Sequence, residues 1–224
     1  MNTFFEKFGL AFVISLPNCT ERRERTIHEF TKWNIPFMFI DAIDRADVTI
    51  PEEFNTQWMS KTDPKAVGYY ACYLSHIKAI KYALTLGFNR FSIFEDDIEF
   101  PDNFDALLDL YRKEIPDGWY MLNWGAHHLE GHEQVSDNVY RIKGMIGAFA
   151  YALTNIGAIE LLNTVTVKYK TFYDIGMVYF NNYYGASYTF RHRFVKHREG
   201  NSVITGQWVD DGLLPRVRDG QAVL

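Results

Sequence analysis

Glu95-Asp96-Asp97 sets three carboxylates in succession directly after the apolar run Phe91-Ser92-Ile93-Phe94. Carboxylates packed this closely repel one another at neutral pH unless a cation or hydrogen-bond donors compensate them. A hard divalent ion shared between carboxylate and ligand oxygens is the usual compensation. A solvated acidic turn ahead of Pro101 is the alternative, and position alone leaves both open.

Arg22, Arg23 and Arg25 come just after the first apolar run, in the opening turns of an expected helix. Cations there oppose the helix dipole, so a purely structural role is disfavoured. Guanidinium forks near a helix N-terminus suit a diphosphate or nucleotide, with solvated surface arginines as the other reading. Ser75-His76 is expected to open a helix beside the sheet, where a lone histidine is more often structural than catalytic. His127, His128 and His132 share a Gly-containing segment that could hold a metal, but no cysteine accompanies them, and solvated loop histidines fit as well. His197 matters only if the fold carries it to Asp97. Asp174 follows Phe172-Tyr173 and begins an expected short helix. Burial among rings would raise its pKa and a helix N-terminus would lower it, leaving a carboxylate able to take a proton near neutrality; helix capping alone would also explain it. Asp210 and Asp211 are the next acids in line.

These residues need a frame. The run Leu10 to Leu16 is apolar throughout and of strand length, as in a buried parallel strand, and it breaks at Pro17-Asn18. Asn18 and Glu21 have capping-box spacing, and Ile27, Phe30 and Trp33 then share a helical face. A second strand, Phe37 to Ile40, ends at Asp41, which completes a βαβ unit with a parallel pair. Residues 45–67 lack periodicity. Leu74, Ile77, Ile80, Lys81 and Leu84 mark a helix stopping at Gly87, and Phe104, Leu107, Leu108 and Tyr111 mark another, entered through Pro101. Trp119 to Trp124, Val139 to Ile142 and Phe149 to Leu153 read as strands, Thr154 to Asn163 as a helix, and Tyr188 to Val195 as aromatic strand. The chain reads as α/β, with a mostly parallel sheet flanked by helices and a more mixed C-terminal half. Ligands in such sheets bind at the carboxyl ends of strands, where the acidic triplet lies.

The bulk numbers narrow the classes. With 224 residues the chain permits one large domain or two small ones, and 47% apolar content supports a substantial core. A net charge of −5 argues against nucleic acid or an anionic membrane as partner. Aromatic content of 17% is first of all core, though rings can also floor a sugar site. The two cysteines, Cys19 and Cys72, do not make a disulfide framework and read as reduced thiols of a cytoplasmic protein. Phe8 to Leu16 is too short to span a bilayer and no secretory signal is visible, so at most peripheral membrane association is expected.

Four blocks, in order, resemble glycosyltransferase family 25, the lipooligosaccharide and procollagen galactosyltransferases. They are Val13-Ile14-Ser15-Leu16 with Glu21-Arg22-Arg23-Glu24-Arg25; Gly68 to His76, ending Cys72-Tyr73-Leu74-Ser75-His76; Phe94-Glu95-Asp96-Asp97; and Gly147 to Leu153 with Gly157-Ala158 and Leu161-Leu162. Asp174 in Tyr173-Asp174-Ile175-Gly176-Met177 matches a later acidic position of the family, and His197 with Ser202 matches its C-terminal block. The chain departs from the usual pattern in having Ser15-Leu16-Pro17 where Asn-Leu-Asp is common, and Tyr69 and Ala71 where Glu and Gly are common.

The resemblance implies a GT-A type fold over a single domain, 1–224, with about 1–115 binding the nucleotide sugar and about 116–224 facing the acceptor. It implies transfer of a hexose, galactose or glucose, from a UDP-hexose donor to a glycan or protein hydroxyl with inversion, aided by Mn²⁺ (or Mg²⁺). On that basis Asp97, at what reads as an exposed strand end, is the expected metal ligand, with His197 as a second. Imidazole suits Mn²⁺ better than Mg²⁺. Glu95, Asp96, Arg22, Arg25, Ser75 and His76 would bind the donor, and Asp174 would be the catalytic base. Two other readings stay open. One is a catalytically silent homologue that binds a nucleotide sugar or glycan, motivated by Tyr69 and Ala71. The other is a nucleotidyltransferase using the same acidic strand end.

Overall fold

A computed structural model describes residues 3–125, 128–130, 132–192, 194–198, 200–201 and 208–209. A short helix, α1 (Thr3–Phe8), leads into β1 (Ala11–Ser15), α2 (Thr20–Lys32) and β2 (Phe37–Asp41), with β1 and β2 parallel as expected. After a 3-10 turn at Arg45–Asp47 come α3 (Pro64–Thr85), β3 (Arg90–Glu95), the two-residue β4 (Ile98–Glu99) and α4 (Phe104–Tyr111). The second half carries β5 (Met121–Gly125), β6 (His128–Glu130), β7 (Glu133–Gln134), β8 (Val139–Arg141), β9 (Gly144–Ile146) and β10 (Ala150–Thr154). Then follow α5 (Asn155–Asn163), α6 (Tyr173–Tyr184), β11 (Ser187–Phe190), β12 (Lys196–His197), β13 (Gly200–Asn201) and β14 (Trp208–Val209).

Eight strands form one sheet in the order β2-β1-β3-β10-β5-β11-β8-β7. β2, β1 and β3 are parallel; β10 then runs antiparallel to both β3 and β5, while β11 runs parallel to β5. The α/β architecture, parallel first and mixed later, is the one expected.

Both faces of the sheet are covered around β1, β3 and β10, which is why those strands read as near-continuous apolar runs. On one face Phe12, Ile14, Phe91, Ile93, Tyr151 and Leu153 pack against α3, α5 and α6 through Ala79, Ile80, Ala158, Leu161, Met177 and Phe180. The alternate residues Ala11, Val13, Phe94, Ala150 and Ala152 meet Phe4, Phe8, Phe30, Phe104 and Leu108 of α1, α2 and α4 on the other.

Several local expectations are corrected. α3 begins at Pro64, capped by the Asp63 carboxylate on the Lys65 N–H at 2.8 Å, so the stretch 45–67 ends inside a helix and Ser75-His76 lies in its middle. Its buried positions, from Ala66 and Gly68 through Ala71, Tyr73, Ser75 and His76 to Ala79, surround the helix rather than stripe it, and this hid the period. α2 starts at Thr20 without the Asn18 capping box; Glu21 instead reaches Arg25 one turn on, at 3.7 Å. Ile27 faces outward. Pro101 sits in the turn before α4, its carbonyl accepting the Phe104 N–H at 3.0 Å. Asp174 is not the cap of α6, because Phe172 holds that position and the Asp174 carboxylate accepts the Ile175 N–H at 2.8 Å.

Candidate functional site

The carboxyl ends of three neighbouring parallel strands come together: Asp41 of β2, Ser15 of β1 and Glu95 of β3, with Asp96 and Asp97 immediately after it. Ser15 Oγ donates to Asp96 Oδ2 at 2.6 Å. Arg22, in the first turns of α2, donates through Nη1 to Asp96 Oδ1 at 2.8 Å and to Asp97 Oδ2 at 3.1 Å. Arg23 reaches sideways, donating to the Ser15 carbonyl at 2.9 Å and to the Asp41 carboxylate, with its guanidinium over the Phe39 ring. The loop from Pro17 thus returns the helix over the strand end that it left.

His197 arrives from far along the chain. Phe194 and Val195 both donate N–H to the Trp124 carbonyl, and β12 pairs antiparallel with β4 so that His197 faces Ile98. Gly125 makes this possible, since a Cβ there would meet the Phe149 ring at 2.4 Å and the Val195 carbonyl oxygen at 2.6 Å. The Phe149 ring packs edge-on against His197, whose Nε2 stands 3.3 Å from Asp97 Oδ2. Asp97 is therefore enclosed between Arg22, His197 and the Arg198 N–H, which bonds its carbonyl, and the expectation of an exposed strand end is corrected. Its second carboxylate oxygen, Oδ1, is buried without a hydrogen-bond partner among the described residues.

The charges follow from this enclosure. Burial raises the Asp96 carboxyl, against the Ser15 and Arg22 hydrogen bonds, and the net displacement is upward. Burial also pushes Asp97 up, but the His197 and Arg22 hydrogen bonds and charges outweigh it and hold the group below its ordinary value. Burial disfavours the imidazolium of His197, yet the Asp97 contact, with the Glu95 charge, draws its pKa upward. In part, then, the compensation that three adjacent carboxylates require is supplied by side chains of the chain itself.

Glu95 belongs to a second, deeper network. Its Oε1 lies 3.3 Å from His76 Nε2 and 4.0 Å from Cys72 Sγ. His76 Nδ1 is 2.9 Å from the Tyr151 hydroxyl, which is 2.8 Å from that of Tyr173, and the Tyr173 ring stacks on the imidazole at 4.4 Å. Tyr173 begins α6, so this network also fixes Asp174, which is close enough for the Glu95 charge to act on it. Burial raises the Asp174 carboxyl; its backbone hydrogen bonds oppose this only in part.

Of the residues singled out in sequence, Arg22, Asp96, Asp97 and His197 form one cluster, and Glu95, His76 and Asp174 gather beside it. Ser75 does not face the cluster: its hydroxyl accepts the Ile43 N–H at 2.9 Å and donates to the Ala71 carbonyl, buttressing the loop after β2. Arg25 is also elsewhere, half exposed and paired with Glu21. His132 is described but not gathered here, His128 only in its backbone; His127, Ser202, Asp210 and Asp211 lie outside the described residues. Sequence reasoning passed over Ser15 and Asp41 as participants, although polar residues where buried strands end are a readable signal; Arg23, singled out with Arg22 and Arg25, turns instead to Ser15 and Asp41. Tyr151 and Tyr173 carried no such signal, since each reads as one more aromatic core position.

The description "Glycosyltransferase family 25 (LPS biosynthesis protein)" belongs to the family model that matches residues 9–177. A putative glycosyltransferase of Haemophilus influenzae is 35% identical over 168 residues, covering 70% of this chain and 58% of the relative. The human inactive glycosyltransferase 25 family member 3 is 28% identical over 175 residues, 69% of this chain and 29% of that protein. A lipooligosaccharide biosynthesis protein of Haemophilus influenzae is 32% identical over 103 residues, 43% of this chain and 36% of its own length. The chain thus spans 58% of the first of these and about a third of the others. With the family match running from the turn before β1, through the acidic strand end, into α6, the chain belongs to glycosyltransferase family 25.

Proposed function

We propose that this chain is an active, inverting glycosyltransferase that moves a hexose, galactose or glucose, from a UDP-sugar to a glycan hydroxyl. The observation that carries the proposal is the joining of Asp96, Asp97, Arg22 and His197 at the carboxyl ends of β1 and β3, beside a buried Asp174. The name of the Haemophilus lipooligosaccharide relative makes a lipooligosaccharide-type glycan the first acceptor class to try, with a protein hydroxyl second. The proposed compartment is the cytoplasm; both cysteines are free thiols, and no described helix is long and apolar enough to cross a membrane.

In this reading the diphosphate of the donor meets Arg22, and Glu95 and Asp96 hold its ribose or an ordered water. The acceptor oxygen attacks the anomeric carbon, the bond to the diphosphate oxygen breaks, and UDP leaves with the bonding pair. Asp174 accepts the acceptor proton. The residues present fit a divalent cation: Asp97 offers the buried Oδ1 that lacks a partner among the described residues, and His197 stands beside it. Mn²⁺ (or Mg²⁺) held there would supply Lewis-acid neutralisation of the leaving diphosphate.

The test is a screen of UDP-sugars with and without Mn²⁺, read first as thermal stabilisation and then as transfer. A donor at a hundredfold its Kd should add about 2.7 kcal/mol. Metal-independent melting with every donor, and no transfer, would overturn the reading. The silent-homologue reading has specific support in the relatives named inactive and in Tyr69, whose ring packs against Phe172 two residues before Asp174. Ala71 supports it less, being a buried packing position of α3. Donor-dependent stabilisation without turnover would favour that reading. Retention of the whole nucleotide in the product would point to nucleotidyl transfer.

A further inference from the structure

We infer that Cys72, His76 and Glu95 form a binding site for a thiophilic divalent cation of the zinc class, separate from the cation proposed at Asp97 and His197. The inference stands on side-chain geometry and does not depend on the transferase reading. Cys72 and His76 are one turn apart on α3, so both project from the same face of that helix. Glu95, at the end of β3, closes the third corner. Sγ, an imidazole nitrogen and a carboxylate oxygen all lie within 4.8 Å of one another. Ligand atoms about a tetrahedral zinc, with bonds of roughly 2.0–2.3 Å, stand about 3.3–3.8 Å apart. Closing the present arrangement onto an ion therefore takes shifts of about an ångström or less.

Three further features fit. The His76 ring is held by the network behind it, as a metal-ligating histidine usually is. With Nε2–H directed at Glu95, Nδ1 accepts from the Tyr151 hydroxyl, which accepts from Tyr173. With an ion on Nε2, Nδ1–H donates to Tyr151, which donates to Tyr173. The tyrosine pair serves either direction. Next, the donor set is selective: a sulfur ligand favours zinc or cadmium over manganese or magnesium. Last, Cys72 and Glu95 together would supply two negative charges to a doubly charged ion. Glu95 is about a fifth exposed, whereas the imidazole is fully buried.

Cadmium is the probe, titrated into the purified, reduced chain with no nucleotide present. The expected result is one equivalent bound, with the ultraviolet charge-transfer band of a cadmium thiolate. Cys72→Ser abolishes the band, Cys19→Ser and Asp97→Asn retain it, and Glu95→Gln weakens binding at least tenfold. Excess Mn²⁺ does not displace the ion. A wild-type protein without the band, a band that follows Cys19, or displacement by equimolar Mn²⁺ overturns the inference. Should Cys72→Ser not fold, the Glu95→Gln and Cys19→Ser arms decide alone. Failure of the transferase reading would show in the UDP-sugar screen and leave the cadmium titration unaffected.

Discussion

At the scale of single residues, enclosure changes what each substitution should do. Asp97 bridges Arg22 and His197, so Asp97→Asn is expected to cost about 1–3 kcal/mol as well as turnover, the size of a lost hydrogen bond to a charged group. Chemical denaturation alongside a transfer assay checks this, and unchanged rates would remove the metal-ligand role. The arginines divide in the same way. Arg22→Ala should raise the donor KM and lower stability, whereas Arg25→Ala should stay within about 0.5 kcal/mol of wild type, because Arg25 is a half-exposed partner of Glu21. Equal effects of the two on donor KM would return both to the nucleotide. Asp174 makes the sharpest case. Its carboxyl is raised in the fold, so relative to the unfolded chain it favours stability below the usual aspartate pKa of 3.8, and that contribution is lost as pH climbs through the raised value. Asp174→Asn should therefore leave stability at pH 7 equal or higher while transfer falls roughly 10²–10⁴-fold. If Asp174 is the proposed base, its protonation would stop transfer, so the acid limb of kcat/KM should lie above 3.8, and a limb at or below it would count against Asp174.

Elements decide which of these residues can meet. β12 carries His197 to Asp97 only because β5 ends in a residue without a side chain, with Phe149 and Val195 closed over it. Gly125→Ala is expected to cost about 1–3 kcal/mol of overpacking and to weaken Mn²⁺-dependent donor binding by displacing His197. Native stability with wild-type metal dependence would show that the segment adapts without consequence. The same contrast explains what was legible in the sequence. β1, β3 and β10 were readable because a strand buried on both faces is apolar at nearly every position, and the triplet Glu95-Asp96-Asp97 marked the strand end where that stops. The meeting of Arg22 with the acids was half visible, as cations out of place in a first helical turn. The start of α3 was not, since small residues pack it on all sides and leave no apolar stripe. His197 could not be assigned from spacing at all, because an antiparallel pair of two-residue strands sets its position.

For the molecule as a whole, a boundary near residue 115 would divide a nucleotide half from an acceptor half, but the sheet does not divide there. β10, from the second half, lies between β3 and β5, and α5 and α6 cover the same sheet face as α3. A fragment of residues 1–115 would keep β2, β1 and β3 yet lose the strand that pairs with β3. Such a fragment should be aggregation-prone rather than a UDP-binding unit, and a monodisperse, cooperatively melting fragment would show that the first half stands alone. The position of β10 also acts on the protein as it is made. β3 leaves the ribosome with one edge open, and its partner is not yet translated, so for on the order of a few seconds its backbone donors and acceptors are exposed to other nascent chains. Slow codons between β3 and β10 would lengthen that interval, so the yield of folded protein should respond to synonymous changes in this stretch that leave every residue of the site untouched.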